Sequence, residues 1–113
     1  LPTWALLDGA DNFVAFGQYY LRVGRCHLAR LAVAPGVRGR GFGERLIREL
    51  RARGGTELGV RSFSLFVMAG NAPALRLYRR LGFTEVDYPE PLPPSEKMLY
   101  MVASDESSDS SCR

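Results

Sequence analysis

The chain has 113 residues, 46% of them apolar and 24% charged, with a net charge of +3. That length closes one core and leaves no room for a second domain. No apolar run nears the roughly 18 residues of a membrane span, and no basic-then-apolar leader opens the chain.

Residues 4–8 and 13–22 read as two strands joined by the polar turn Gly9-Ala10-Asp11-Asn12. Along the second, Phe13, Ala15, Gly17, Tyr19 and Leu21 face one way and Val14, Phe16, Gln18, Tyr20 and Arg22 the other. Val23-Gly24-Arg25 turns the chain into a third strand, 26–33, which Pro35 ends for want of an amide donor. A helix over 41–53 carries Phe42, Leu46, Ile47 and Leu50 as one apolar stripe, and Gly54-Gly55 is expected to stop it. A fourth strand, 63–68, leads to a second helix, 72–81, with Asn71 as N-cap, Pro73 in the first turn and Gly82 as C-cap. Strands over 83–86 and 97–103 flank a linker with prolines at 89, 91, 93 and 94, too rich in proline for a tight hairpin. The domain is expected to occupy 1–103, with 104–113 a serine-rich, acidic and mobile tail. This order predicts an α/β fold on a mixed sheet.

Cys26 and Cys112 lack metal-ligand spacing, and Cys112 lies in the tail, so no metal and no disulfide framework are expected. A reducing cytoplasm is the default setting. Fourteen arginines stand against one lysine, a skew attributed to genomic base composition. Six arginines against two glutamates between Arg38 and Arg53 raise the question of nucleic acid. The segment lacks the interleaved aromatics of such modules, so neither a nucleic-acid nor a membrane partner is expected.

The run Val37-Arg38-Gly39-Arg40-Gly41-Phe42-Gly43 sits at a strand-to-helix turn. Its glycines let backbone approach an anion, and the helix after it offers unpaired N–H groups and a positive dipole end. A solvated structural turn is the plain alternative. The pattern is not a dinucleotide fingerprint, since Glu44 holds the place of the third glycine, and it lacks the Gly-Lys-Ser/Thr ending of a P-loop.

Read from Arg38, the run is Arg-x-x-Gly-x-Gly, preceded by Leu31-Ala32-Val33-Ala34-Pro35. About thirty residues on stands Asn71-Ala72-Pro73-Ala74-Leu75-Arg76-Leu77-Tyr78-Arg79-Arg80-Leu81-Gly82-Phe83. These two segments, in this order, resemble the signatures of the GNAT acetyltransferase superfamily. The resemblance implies a mixed, mostly antiparallel sheet flanked by helices. The first residue is Leu, not Met, which suggests a processed chain or one cut from a longer protein, and nothing in this sequence reads as the usual N-terminal strand and helices of that fold. It also implies acetyl-coenzyme A as cosubstrate. Backbone of Leu31 and Val33 would polarise the acetyl carbonyl where the strand splays from its neighbour. Arg38, Gly39, Arg40, Gly41, Phe42, Gly43 and Glu44 would hold pyrophosphate, Asn71 would meet the pantetheine arm, and Ala32 and Ala74 would also belong to the cofactor site.

Transfer to an amine further needs a proton for the leaving thiolate and a path away from the amine. Helical spacing alone leaves Tyr78 as plain core; the resemblance implies the general acid. Asn71 can be a cap and a ligand at once. His27, the sole histidine, is either structural or a base of suitable unperturbed pKa. The strand 27–33 resembles that of arylalkylamine acetyltransferases, where a histidine at this point serves a water-mediated path; their second histidine is replaced here by Ala29. Alternation places His27 on one face with Ala29, Leu31 and Val33. Glu85, Asp87 and Glu90 are candidates for the acceptor end, and Gln18 with Tyr19 or Tyr20 for its wall.

The expected activity is direct acetyl transfer to a small primary amine, with a peptide or protein amine also open and a homodimer compatible. No cysteine falls at the pocket motifs, which argues against a covalent intermediate. The rival reading is a coenzyme A-binding regulatory or scaffold domain without turnover.

Overall fold

The computed structural model describes residues 2–89 and 98–105. Its strands are β1 (Trp4–Leu7), β2 (Phe13–Arg22), β3 (Arg25–Val33), β4 (Ser62–Met68), β5 (Thr84–Glu85) and β6 (Met98–Ser104); the helices are α1 (Phe42–Leu58) and α2 (Ala72–Arg80). One sheet runs in the order β1-β2-β3-β4-β6-β5. Every pair is antiparallel except β3–β4, which α1 connects as a crossover. This is the mixed, mostly antiparallel α/β architecture expected.

Local chemistry sets the turns. Asp8 Oδ1 accepts from the N–H groups of Ala10 and Asn12, at 2.8 and 3.0 Å, which closes the first turn and holds the Asp8 carboxyl below its usual pKa. Val23 and Gly24 both have positive φ, 50° and 76°, the backbone of a two-residue hairpin turn, so Arg25 belongs to β3. Asn71 accepts the Ala74 N–H at 3.2 Å and caps α2. At its far end Phe83 N–H donates to Tyr78 O and Gly82 N–H to Arg79 O, with Gly82 at φ 95°. That pair of bonds is a Schellman termination.

α1 corrects one expectation: it does not stop at Gly54-Gly55 but runs three residues further, to Leu58, and ends on Gly59 at φ 67°. The reason is packing. A Cβ on Gly54 would stand 2.4 Å from Cys26 Sγ and 3.1 Å from Tyr19 Cδ1, so the missing side chain is what lets the helix seat on β2 and β3. Leu46, Ile47 and Leu50 enter the same core with Leu28, Phe63, Leu65, Phe83 and Met101.

The sheet continues past residue 103. Ser104 pairs with Ser62 in the sheet, and Asp105 bonds Arg51 and donates its N–H to Arg61 O at 2.9 Å. Residues 106–113, Glu90, Pro91, Pro93, Pro94 and Lys97 lie outside the described residues. Among the described residues no helix is long and apolar enough to cross a membrane.

Candidate active site

The register of β2 against β3 carries the decisive local irregularity. Gln18 lies opposite Ala29 and Phe16 opposite Ala32, so two residues of β3, Arg30 and Leu31, face Gly17 alone. Arg30 sits at φ 54°, the left-handed backbone of a bulge. The extra residue reverses the alternation beyond it. His27 and Ala29 therefore share a face with Tyr20 and Gln18, while Leu31 and Val33 turn to the α1 side. The expectation of one face for all four is corrected: simple alternation assumes that no residue is inserted.

β3 and β4 are paired only at Cys26–Phe63 and His27–Ser64. Beyond His27 they part, and a cleft of about 570 Å³ opens between them. Leu28, Ala29, Arg30 and Leu31 line one wall; Phe66, Val67, Met68 and Met98 line the other. Gln18, Tyr20, Arg22 and His27 form the β2-side end, and Asn71 and Tyr78 come from the start and middle of α2. Thus six of the expected site and wall residues (Gln18, Tyr20, His27, Leu31, Asn71 and Tyr78) meet in one cleft. Tyr19 instead packs under α1, stacked on Trp4, with its hydroxyl on Glu57 and its pKa pushed up to about 12 by that bond. Neither Glu85 nor Asp87 lines the cleft.

The glycine-rich segment adjoins the cleft's α1 end without lining it. Gly39 and Gly41 both have φ of 83°, and Gly41 is the N-cap of α1 with no side-chain cap bond. The first i→i−4 bond of α1 is from Arg45 N–H to Gly41 O, so the amides of Phe42, Gly43 and Glu44 precede any intrahelical acceptor. A Cβ on Gly43 would lie 3.3 Å from Leu77 of α2 and 3.6 Å from Val33, which places this turn against the end of β3. Arg38 Nε donates to Val33 O at 3.3 Å, while Arg40 is exposed. Glu44 bonds Arg48 and Arg80, both near 2.8 Å, and these cations hold its carboxyl below the usual range. Ala32 and Ala74 are half-buried and stand outside the cleft lining.

Two titratable groups in the cleft are shifted by burial. His27 is 2% exposed, flanked by Tyr20 and Phe66, and its Nδ1 lies 2.8 Å from Ser64 Oγ. Desolvation, helped by the Arg22 charge, pushes its pKa down to about 4. Desolvation raises the Tyr78 pKa, and its ring meets Phe83 edge-on at 6.0 Å, so it enters neutral pH fully protonated. Among the described residues no three His, Cys, Asp or Glu side chains cluster as metal ligands.

Comparison with known proteins decides the lineage. The model of the acetyltransferase (GNAT) family matches residues 2–83. The chain belongs to the GNAT acetyltransferase family. Solved GNAT-like structures agree in fold. A provisionally named acyl-CoA N-acyltransferase from Klebsiella pneumoniae superposes with a TM-score of 0.80 at 22% identity, over 90% of this chain and 70% of that one. The ribosomal-protein-S18-alanine N-acetyltransferase of Escherichia coli gives 0.72 at 25% identity, over 91% and 68%. Nourseothricin acetyltransferase gives 0.74 at 27%, over 90% and 64%.

Arg22, Arg30, Ser64 and Phe66 were missed as site residues in the sequence. For Arg22 a signal existed, since it shares the Gln18 and Tyr20 face of β2. For Phe66 in the cleft wall and for Ser64 behind it, as the partner of His27, it did not: their places depend on the parallel β3–β4 register.

Proposed function

We propose that the cleft transfers an acetyl group from acetyl-coenzyme A to a primary amine by direct attack. The observation that carries this reading is the parting of β3 from β4 beside an uncapped helix N-terminus, with Tyr78 between them. The donors fit the cosubstrate: the open amides of Phe42, Gly43 and Glu44, with Arg38 and Arg40 beside them, suit a pyrophosphate. Acetyl-coenzyme A supplies an activated thioester that a neutral amine attacks with release of a thiolate.

The chain's own residues do the rest. Ala34 N–H bonds Val14 O, so by alternation the N–H of Val33 points away from β2, toward the parted side. With Leu31 it supplies fixed donors to a carbonyl oxygen, an arrangement worth more in a dry cleft than in water. Tyr78 donates a proton to the thiolate, and Asn71, already capping α2, orients the arm. His27 acts as a neutral imidazole. With a pKa near 4 it passes a proton to water rather than storing one. The acceptor is a small amine or a peptide amine; the two named relatives above are acetyltransferases for a ribosomal-protein alanine and for nourseothricin. Buried Cys26, with a thiol pKa pushed up to about 11, sits on the α1 face, away from the reaction.

The second reading, coenzyme A binding without turnover, draws on the weak basicity of His27. Calorimetry with acetyl-coenzyme A, followed by thiol release with a panel of amines, separates them. Binding without thiol release from any amine would overturn the transfer reading.

A further inference from the structure

One charge at the cleft has no part in the transfer chemistry above. Arg22 is half-buried on β2, with Nε donating to Tyr88 Oη at 2.9 Å and Nη1 to Tyr20 Oη at 3.2 Å. Its Cζ lies 5.3 Å from the Phe66 ring centroid and 5.6 Å from that of Tyr88. None of these partners is an acidic side chain. Among the described residues the ion pairs involve Arg48, Arg51, Arg53 and Arg80, and none reaches Arg22.

Two phenols occupy only two of the five donors of this half-buried guanidinium, which leaves the others open to an anion. The aromatic partners fix its plane, as a bidentate receptor for an oxyanion requires. Arg30 lines the same cleft, held at φ 54°, a backbone that non-glycine residues adopt only when the surroundings impose it. The described lining contains these two arginines and no aspartate or glutamate.

We propose that Arg22 binds an anionic group, carboxylate or phosphate, on the acceptor, so that the substrates are small amines that carry a negative charge rather than polyamines. The proposal rests on the transfer reading and names its substrate class. Arg22 lies opposite Arg25 and Gln18 opposite Ala29, so Arg22 stands about four residues, roughly 13 Å, along the strand from the bulge. The anion and the amine are therefore separated by several bonds, shortened by the reach of the arginine itself. Arg30, at the bulge, disfavours an ammonium beside it and lowers the pKa of the bound amine, which eases the proton loss that His27 is too weak a base to drive.

The test measures kcat/KM by thiol release for an ω-amino carboxylate, its neutral amide, an aminoalkyl phosphate and spermidine. One anionic acceptor is expected to exceed the amide by about 10–100-fold, and spermidine to be the poorest. Whichever of carboxylate and phosphate leads identifies the anion. Arg22→Gln should bring the anion-to-amide ratio toward one, and Arg22→Lys should keep part of it, as charge without the fork. If Arg22→Gln does not fold by circular dichroism, Arg22→Lys decides: a ratio unchanged from the parent overturns the proposal. So does parent enzyme that uses the amide or spermidine as well as the anions. Absence of thiol release from every amine is a different result, and it removes the transfer reading itself.

Discussion

His27 Nδ1 stands 2.8 Å from Ser64 Oγ across the last hydrogen-bonded pair before β3 and β4 part. The only histidine of the chain is thus locked at the root of the cleft in its neutral form. Its folded pKa of about 4 lies below the unfolded 6.5. Between those values the unfolded chain binds a proton that the folded one refuses, so stability rises with pH.

Stability should therefore be full above pH 6.5 and fall by about 2 kcal/mol on acidification to pH 5, with the loss complete below pH 4. The carboxylates of Asp8 and Glu44, whose pKa values are lowered, lose their contributions only further into acid. Denaturant unfolding at pH 5 and 7 measures the slope, and His27→Gln should flatten it. The rate, in turn, should show no limb near pH 6.5 that His27→Gln removes; one that disappears would mark His27 as the base.

Tyr78→Phe keeps the ring against Phe83 and deletes only the hydroxyl. Turnover should drop by roughly 10²–10⁴, with acetyl-coenzyme A affinity little changed. Wild-type turnover would return Tyr78 to the core.

Gly41→Val places a β-branched side chain at φ 83° on the first corner of α1. No neighbour lies within 4 Å of the added Cβ, so the strain is in the backbone, about 1–3 kcal/mol, and must be relieved by moving the open amides. Calorimetry should show at least a tenfold weaker cofactor complex in a folded variant. Unchanged affinity would remove the turn from the binding site.

Gly54→Ala separates packing from helix propensity. Alanine favours a helix by about 1 kcal/mol, yet its Cβ would meet Cys26 Sγ at 2.4 Å, and such overpacking costs about 1–3 kcal/mol. The melting temperature should fall. A rise would show that α1 can lift from the sheet at no cost.

Much of this architecture was legible in the residues. Alternation in 13–22, the apolar stripe of Phe42, Leu46, Ile47 and Leu50, and the Asn71 and Gly82 signals place β2, α1 and α2 within a few residues. What escaped depended on the third dimension. The bulge at Arg30 leaves no mark in an alternation pattern, so the faces of Leu31 and Val33 came out reversed. Gly54-Gly55 carried a stop signal that close approach to Cys26 and Tyr19 overrides. The basicity of His27 was set by burial, and the Arg22 partner Tyr88 stands 66 positions away.

The two-pair seam between β3 and β4 also bears on how the domain assembles. β1, β2 and β3 form a meander of local turns, whereas β4 can join only after the whole of α1 has crossed over the sheet. α1 spans both halves, its inner face resting on β2 and β3 through Gly54 and on Phe63 of β4 through Gly55. The helix therefore serves as the cooperative link of the molecule: loosened, it would let the halves melt separately, with the meander protecting its amides from exchange after β4 and β6 have lost theirs.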